Sequence, residues 1–445
     1  MRQVFLAKEY ADRGLCTEGL QALIDEAAKV GGQVRFEAGT YETATLYMKS
    51  GVSLYLDAGA VIKGTADYTR YSNTFPKLEH LNEVTGAPRW HDALIYCQDC
   101  DNISIEGHGT IDGADVYNPG GEQQFRGPIM MLFYKCSNVS IKGVTLVRAA
   151  NYATFFESCT DVFIYKVRAF AGQDAVEIYY CERVEISECD FRTGDDCVSG
   201  CFDRDVYIHD SKFNTPGGNM ILLGCRHLRM NRCKIWSQGE SPAVFKDKKR
   251  YSNGEGGINT LHWNADPEII MSDDWVIEDI EFENVECVFR FNRNNFFQNG
   301  RVGKIVMRNC TAKNFVYPIT VEGFVPNEFD LTIEDCRFVR APFDKREDRS
   351  FIRANWFKSI TLKNIIIENV SDDPFHFANG EKVTMTDVYL SRKAESADFS
   401  NVSETSIIRN PEETDAPFYV YDDVASIYVP NEKDETFIGA RKYIG

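Results

Sequence analysis

A short apolar pattern recurs along this chain at a nearly fixed interval, and that interval limits the fold more than any other feature. The pairs Val139/Ile141, Val162/Ile164, Val184/Ile186, Val206/Ile208 and Leu228/Met230 follow one another at steps of 23, 22, 22 and 22 residues. Each unit alternates in the manner of a strand. A fixed period of this size reads as a solenoid. Strands that recur in one direction stack in parallel, so each repeat is one coil of a β-helix, with neighbouring coils about 4.8 Å apart. Coils are expected again at Ile103–Gly113 and near Trp275/Ile277, Ile305/Met307, Leu331/Ile333, Ile360/Leu362 and Val383/Met385. The fold class is therefore all-β, and the 445 residues are expected to form one domain, because a solenoid grows by adding coils.

The same period aligns three acids. Asp174 lies twelve residues past Val162 and Asp196 twelve past Val184, with Asp195 beside it. Stacked coils would hold Asp174 and Asp196 one above the other. Three carboxylates this close repel one another, so at least one should have a raised pKa unless a cation neutralises them. One carboxyl protonated and another ionised is the pairing that acid/base chemistry needs. Asn219, thirteen residues past Val206, is expected one column from the aspartates.

Thr17–Val30 is the one clear helix, with Leu20, Leu23, Ile24, Ala27 and Ala28 on one face. Thr17 can cap it and Gly31-Gly32 can end it. Within residues 1–35 it would cover the open end of the solenoid, where unpaired strand edges invite aggregation. Three stretches interrupt the coils: Tyr68–Trp90, Val116–Pro128 and Ser237–Asp274. Loops of this length often wall a cleft. Residues 393–445 are acidic and irregular and are expected to form a C-terminal cover.

The net charge of −18 argues against nucleic acid as a partner. No secretory signal opens the chain and no apolar run is long enough for a membrane span, so a cytoplasmic location is expected. The fourteen cysteines are then expected to be thiols. Cys136, Cys159, Cys181 and Cys225 each stand three residues before an apolar anchor, a place for stacked small buried side chains rather than a metal site. Cys97-x-x-Cys100 precedes a strand and is also read as structural. The sequence carries no signal for oligomeric state.

Several motifs resemble glycoside hydrolase family 28, the polygalacturonase group, over most of Leu20–Val321. GGQVRFEAGTY resembles the entry to its β-helix, Gly109–Gly113 reads GTIDG as the family does, and CSNVSIKGV resembles one of its coils. The most specific match is Gly194-Asp195-Asp196-Cys197, with Asp174 one coil earlier where the family has N-T-D-G. The resemblance implies a right-handed, single-stranded parallel β-helix. It also implies inverting hydrolysis of a pectin-type saccharide without metal or other cofactor. On it, Asp195 is the acid, Asp174 and Asp196 hold and activate the water, and Gln173 stands where it could touch sugar; apart from the resemblance, the Tyr152 ring could stack on a sugar or pack in the core.

The chain departs from the family at three places. N-T-D-G is Gly172-Gln173-Asp174-Ala175 here. The family's G-H-G-I-S-I-G aligns with Gly218–Gly224, which makes its histidine Asn219. Its R-I-K aligns with Val244-Phe245-Lys246, which keeps the lysine and loses the arginine. Lys246 could meet a carboxylate of the substrate, while Lys248, Lys249 and Arg250 read as a solvated face. Trp263 could stack on a sugar, and Arg290, Asn292 and Arg293 could rim a cleft. These departures point to another sugar or to a chain end, and three long loops would turn an open groove into an end-accepting pocket. Two other readings compete: a β-helical lyase whose three aspartates bind Ca²⁺, and a non-catalytic carbohydrate-binding β-helix.

Overall fold

The computed structural model describes residues 2–71, 92–216, 218–237, 239–240, 243–245, 248–250, 256–260, 269–291, 300–315, 317–323, 325–326, 328–340, 350–368, 374–391, 398–408 and 419–420. Nearly all its strands join one 33-stranded sheet wound through parallel pairings. One coil is Thr154–Glu157, Thr160–Tyr165 and Arg168–Ala171, and the next is Val176–Tyr179, Glu182–Ser187 and Asp190–Thr193. Each strand pairs with its counterpart one coil on, and the result is a parallel β-helix with three walls.

The expected apolar columns are the register itself. Val139, Val162, Val184, Val206 and Leu228 stack in order, as do Ile141, Ile164, Ile186, Ile208 and Met230. Trp275, Ile305, Leu331, Ile360 and Val383 continue the stack. Phe133 and Phe156, on successive coils, lie face to face at 4.7 Å. The corners turn at residues with positive φ, among them Asn138, Asp161, Asp205 and Asp210. Asn and Asp tolerate that conformation better than most residues.

All fourteen cysteines are free, and all but Cys16 are buried. Cys136, Cys159 and Cys181 stack as small interior side chains, their thiols bonded to carbonyls such as Glu157 O at 3.4 Å. The slot between Cys181 and Cys225 belongs to Asp203, a buried carboxyl that accepts the Cys181 amide at 2.8 Å.

The helix, α1, runs Thr17–Ala28 and buries Leu20, Ile24 and Ala27 against the first strands. Its start differs from expectation. Cys16 is the capping residue and makes no side-chain cap, because the Thr17 hydroxyl is already taken by the Ala44 amide at 2.8 Å. It ends at Ala28, two residues before the expected Val30, and the chain leaves it through Gly31, with φ +62°, and Gly32, whose amide bonds Ala27 O at 2.8 Å. At the far end, Asp398–Ile408, within the stretch expected as a cover, pairs in parallel with Phe375–Leu390 and adds another rung. No helix among the described residues is long and apolar enough to cross a membrane.

Candidate active site

Asp174 stands two residues before the strand Val176–Tyr179, and Asp196 two before Val198–His209. The register Thr154↔Val176↔Val198↔Ile221 therefore puts Tyr152, Asp174, Asp196 and Asn219 in one column on four successive coils. Asn219 was expected one column away. It falls in line because this coil has 23 residues on this wall, and a bulge between Cys201 and Asp203 returns the next wall to 22.

Each carboxylate in the column is gripped by the coil after it. The Asp196 amide donates to Asp174 Oδ1 at 2.7 Å. The Asn219 amide donates to Asp196 Oδ1 at 2.5 Å, and its side-chain nitrogen adds a bond at 3.2 Å. A Cβ on Gly218 would lie 2.5 Å from Asp196 Oδ1, so only glycine lets that turn approach. Asp195 stands to the side with 42% of its side chain exposed, against 6% for Asp174. One oxygen from each of the three acids lies within 4.8 Å of the others.

The cation demanded by this crowding comes from a loop. Arg126, on the Val116–Pro128 excursion, is buried with its guanidinium between the acids. Nη2 donates to Asp195 Oδ2 at 3.0 Å, and Nη1 to Asp174 Oδ2 at 3.4 Å. Nη1 also reaches Asn151 Oδ1 at 3.4 Å and lies 3.7 Å from Glu122. The guanidinium covers the Tyr152 ring at 5.9 Å. Burial works against its charge, but Glu122, Asp174 and Asp195 outweigh that and hold it protonated.

One arginine does not neutralise the group. Burial, then the charge of Asp195, pushes both Asp174 and Asp196 well above the ordinary carboxylate range. Glu177, three residues past Asp174, is pushed up to about 8, chiefly by burial, although Ser199 donates to it at 2.6 Å. Glu122 is raised as well, by burial, with Arg126 opposing. Burial thus biases Asp174, Asp196, Glu177 and Glu122 towards their protonated forms. The three aspartates could be read as a cation site, but Arg126 already lies against two of them. One oxygen each of Asp174 and Asp196 is also committed to a main-chain amide.

The other expected contacts divide. Gln173 is buried beside Asp174. Arg290 is on the same wall, two coils beyond the Asn219 strand, in register with Asn259. Asn259 meets Asn219 through its amide nitrogen, and with the amide reversed its oxygen takes Arg290 Nη2 at 2.9 Å. Lys246, Trp263, Asn292 and Arg293 lie outside the described residues. The R-I-K alignment falls off the wall: Ala243–Phe245 and Lys248–Arg250 form an antiparallel pair, and Gly256–Thr260 is the strand that follows Asn219 in the stack. Arg126, Glu122 and Glu177 were not expected. The one available hint was the need for a cation beside three acids.

Fold and site define a parallel β-helix with a buried carboxylate cluster on one wall. Residues 44–218 match the family described as glycosyl hydrolases family 28. A polygalacturonase of Juniperus ashei is 26% identical over 187 residues, 40% of this chain and 32% of that protein. A probable polygalacturonase of Arabidopsis thaliana is 27% identical over 141 residues, 30% of each. The matches thus span about a third of those relatives' own length.

Among solved structures, a hyperthermoactive exopolygalacturonase from Thermotoga maritima superposes with a TM-score of 0.62 at 17% identity, over 82% of this chain and 91% of that one. A family 28 exopolygalacturonase of Yersinia enterocolitica gives 0.60 at 15%, over 92% and 78%. The Streptococcus pneumoniae surface adhesin PfbA gives 0.53 at 14%, over 93% of each. These three establish the fold, and fold alone does not fix function. The resemblance to glycoside hydrolase family 28 is shown over 44–218, the segment that carries all three acids and Arg126.

Proposed function

We propose that this chain is a glycosidase that hydrolyses pectin-type or related α-linked oligosaccharides from a chain end, with inversion. The observation that carries the reading is the column of Asp174 and Asp196 with the more open Asp195 beside it. The glycosidic oxygen approaches Asp195 and takes its proton as the C–O bond breaks. A water held against Asp174 and Asp196 bonds to the anomeric carbon and gives its proton to Asp174, the member of that pair whose ionised form Arg126 favours against burial. Well-placed acid and base groups contribute about 10²–10⁴-fold each.

The carboxylate oxygens, within 4.8 Å, stand closer than the roughly 6.5–9.5 Å usual for inversion. Inversion here rests on the family resemblance and needs the water to sit to one side rather than between facing acids. Exo-action is supported by the Val116–Pro128 loop, which folds onto the acids through Glu122 and Arg126. The exopolygalacturonases of Thermotoga and Yersinia, whose fold this chain shares, support the same reading. A lyase would need a neutral arginine as base, whereas Arg126 is held charged. The buried free thiols support a reducing compartment, which we read as the cytosol. We also read the coil as right-handed, the sense nearly all parallel crossovers take, and α1 as the cover of its first turn.

The test is proton NMR of the first-formed product on pectic, rhamnogalacturonan and neutral α-linked oligosaccharides. One small product with inverted anomeric configuration is expected. Retention would overturn the mechanism, a ladder of intermediate oligomers would overturn exo-action, and an unsaturated product would mean a lyase.

A further inference from the structure

The Val116–Pro128 loop closes the wall of the acids on one side. The Gly127 amide bonds Ala150 O at 3.2 Å, and Arg126 reaches Asn151 and covers the Tyr152 ring, all on the coil before Asp174. A saccharide that presents one end to Asp195 then leaves along the coils that follow Asp196. Those coils carry Asn219, next Asn259, and next Arg290.

Arg290 faces outward on this wall, because Phe289 and Phe291 on either side of it are buried in the core. Its own side is partly exposed. The outward column runs Asn259, Arg290, Thr320, Arg353 and His376 on successive coils.

The charge of Arg290 is not matched as others are. In a chain of net charge −18, Arg126, Arg148, Arg192 and Arg308 each lie against a carboxylate. Among the described residues Arg290 has no ion-pair partner. Its contact is neutral. With the Asn259 amide reversed, Arg290 Nη2 donates to the amide oxygen at 2.9 Å, and the Asn259 nitrogen donates to Ile258 O at 3.1 Å. The opposite orientation sets donor against donor and acceptor against acceptor. Asn259, only 4% exposed, thus orients the guanidinium without neutralising it. The remaining N–H groups of a guanidinium suit the two oxygens of a carboxylate.

Asp196 and Asn259 are two coils apart, about 10 Å at about 4.8 Å per coil. The guanidinium of Arg290 lies at the level of Asn259. A glycosidic chain advances by a similar length per sugar. With its terminal sugar at the acids, its third sugar passes Arg290.

We propose that Arg290 binds the carboxylate of a uronate at the third sugar from the cut end, so that an acidic chain is recognised beyond the sugar that is released. The inference rests on the end-cutting reading above. Arg290 lies outside residues 44–218, the segment that matches the family.

The test is isothermal titration of the full chain, carrying Asp195→Asn to prevent turnover. The acidic probes are trigalacturonate and a rhamnogalacturonan tetrasaccharide, each beside its methyl ester, which keeps the sugars and removes the charge. At least one acidic probe should bind more tightly than its ester. Arg290→Gln should weaken that probe by about tenfold or more and change the ester by less than about twofold. Arg290→Lys should keep part of the preference, since it keeps the charge and loses the fork. Digalacturonate, too short to reach, should bind the parent and Arg290→Gln alike. The proposal fails if the parent prefers neither acidic probe to its ester or if Arg290→Gln keeps the preference. It fails equally if acid and ester weaken together, which would mean that Arg290 only holds Asn259 in place, or if digalacturonate is lost as well. These titrations use an inactive chain, so their failure leaves the product analysis of the native chain standing, and failure of end-cutting shows in that analysis alone.

Discussion

Replacing Arg126 with methionine removes the one cation that the described residues place among the acids while keeping an unbranched side chain of similar reach. The guanidinium lies 3.0 Å from Asp195 and 3.4 Å from Asp174. A unit charge at about 3 Å is worth roughly 5 kcal/mol at an effective dielectric constant of 20, before any desolvation cost is subtracted. Breaking a buried pair from one side usually costs about 3–5 kcal/mol. The acids have a way to reduce that cost, since they can take up protons, and Asp195 is partly in water. A net loss near 3 kcal/mol above pH 7 is therefore expected, shrinking as pH falls and the raised carboxyls Asp174 and Glu122 take up protons.

The sign follows from linkage. Arg126 favours the ionised acids, so its removal raises their folded pKa values, and the variant's deficit grows with pH. The acid limb of the kcat/KM profile should move up by about one to two units, each unit being about 1.4 kcal/mol. Urea melts at three pH values and a pH–rate profile measure both effects. An acid limb that stays put or moves down, or a stability loss independent of pH, would refute the assignment of Arg126 as the charge that keeps the base ionised.

Asp195→Asn should abolish turnover with little change in stability or sugar binding; more than a few per cent of the native rate would remove Asp195 from the acid role. Glu177 is raised from 4.5 to about 8 by burial, so its contribution to stability is complete below pH 4.5 and is lost as pH rises through 8. Glu177→Gln should then match the parent in urea melts at pH 4 and exceed it by a few kcal/mol at pH 9; a difference that does not vary with pH sinks the claim. Gly218→Ala would push a methyl against Asp196 Oδ1 at 2.5 Å and the Asp195 main chain at 2.6 Å. It should cost about 1–3 kcal/mol in thermal melts and at least about tenfold in kcat, and a fully active Gly218→Ala protein would contradict the close approach.

Most of the fold was legible because stacking imposes its period on the side chains. A residue inside the coil has its counterpart 22 positions on, so the columns from Val139 to Met230 could be counted off, and the Asp174–Asp196 pair with them. What broke the period broke the reading. Asn219 was misplaced by one column because the coil that leads to it from Asp196 has one residue too many. Lys246, read as able to meet a substrate carboxylate, lies outside the described residues, between Ala243–Phe245 and Lys248–Arg250, which pair antiparallel. Arg126 and Glu122 come from an aperiodic loop, where neither spacing nor alternation says which way a side chain faces. The rung at Asp398–Ile408 was passed over because its sequence, DFSNVSETSII, is too polar to announce a core strand.

The bulge at Cys201/Asp203 has a bearing on how such a protein can change. On the wall of the acids the strand Asn219–Trp236 starts one residue late, and by Asp203↔Cys225 the offset is gone. Phe202, which the register steps over, has φ +66° and rests on Tyr180 at 4.6 Å. The offset never reaches the next wall, where Val206↔Leu228 and Tyr207↔Arg229 keep the ordinary count. It works as a slip joint. Residues can be gained or lost in the turn beside Asp196 and absorbed within a few positions, so the chemistry on one face can be retuned while the other two faces keep their register.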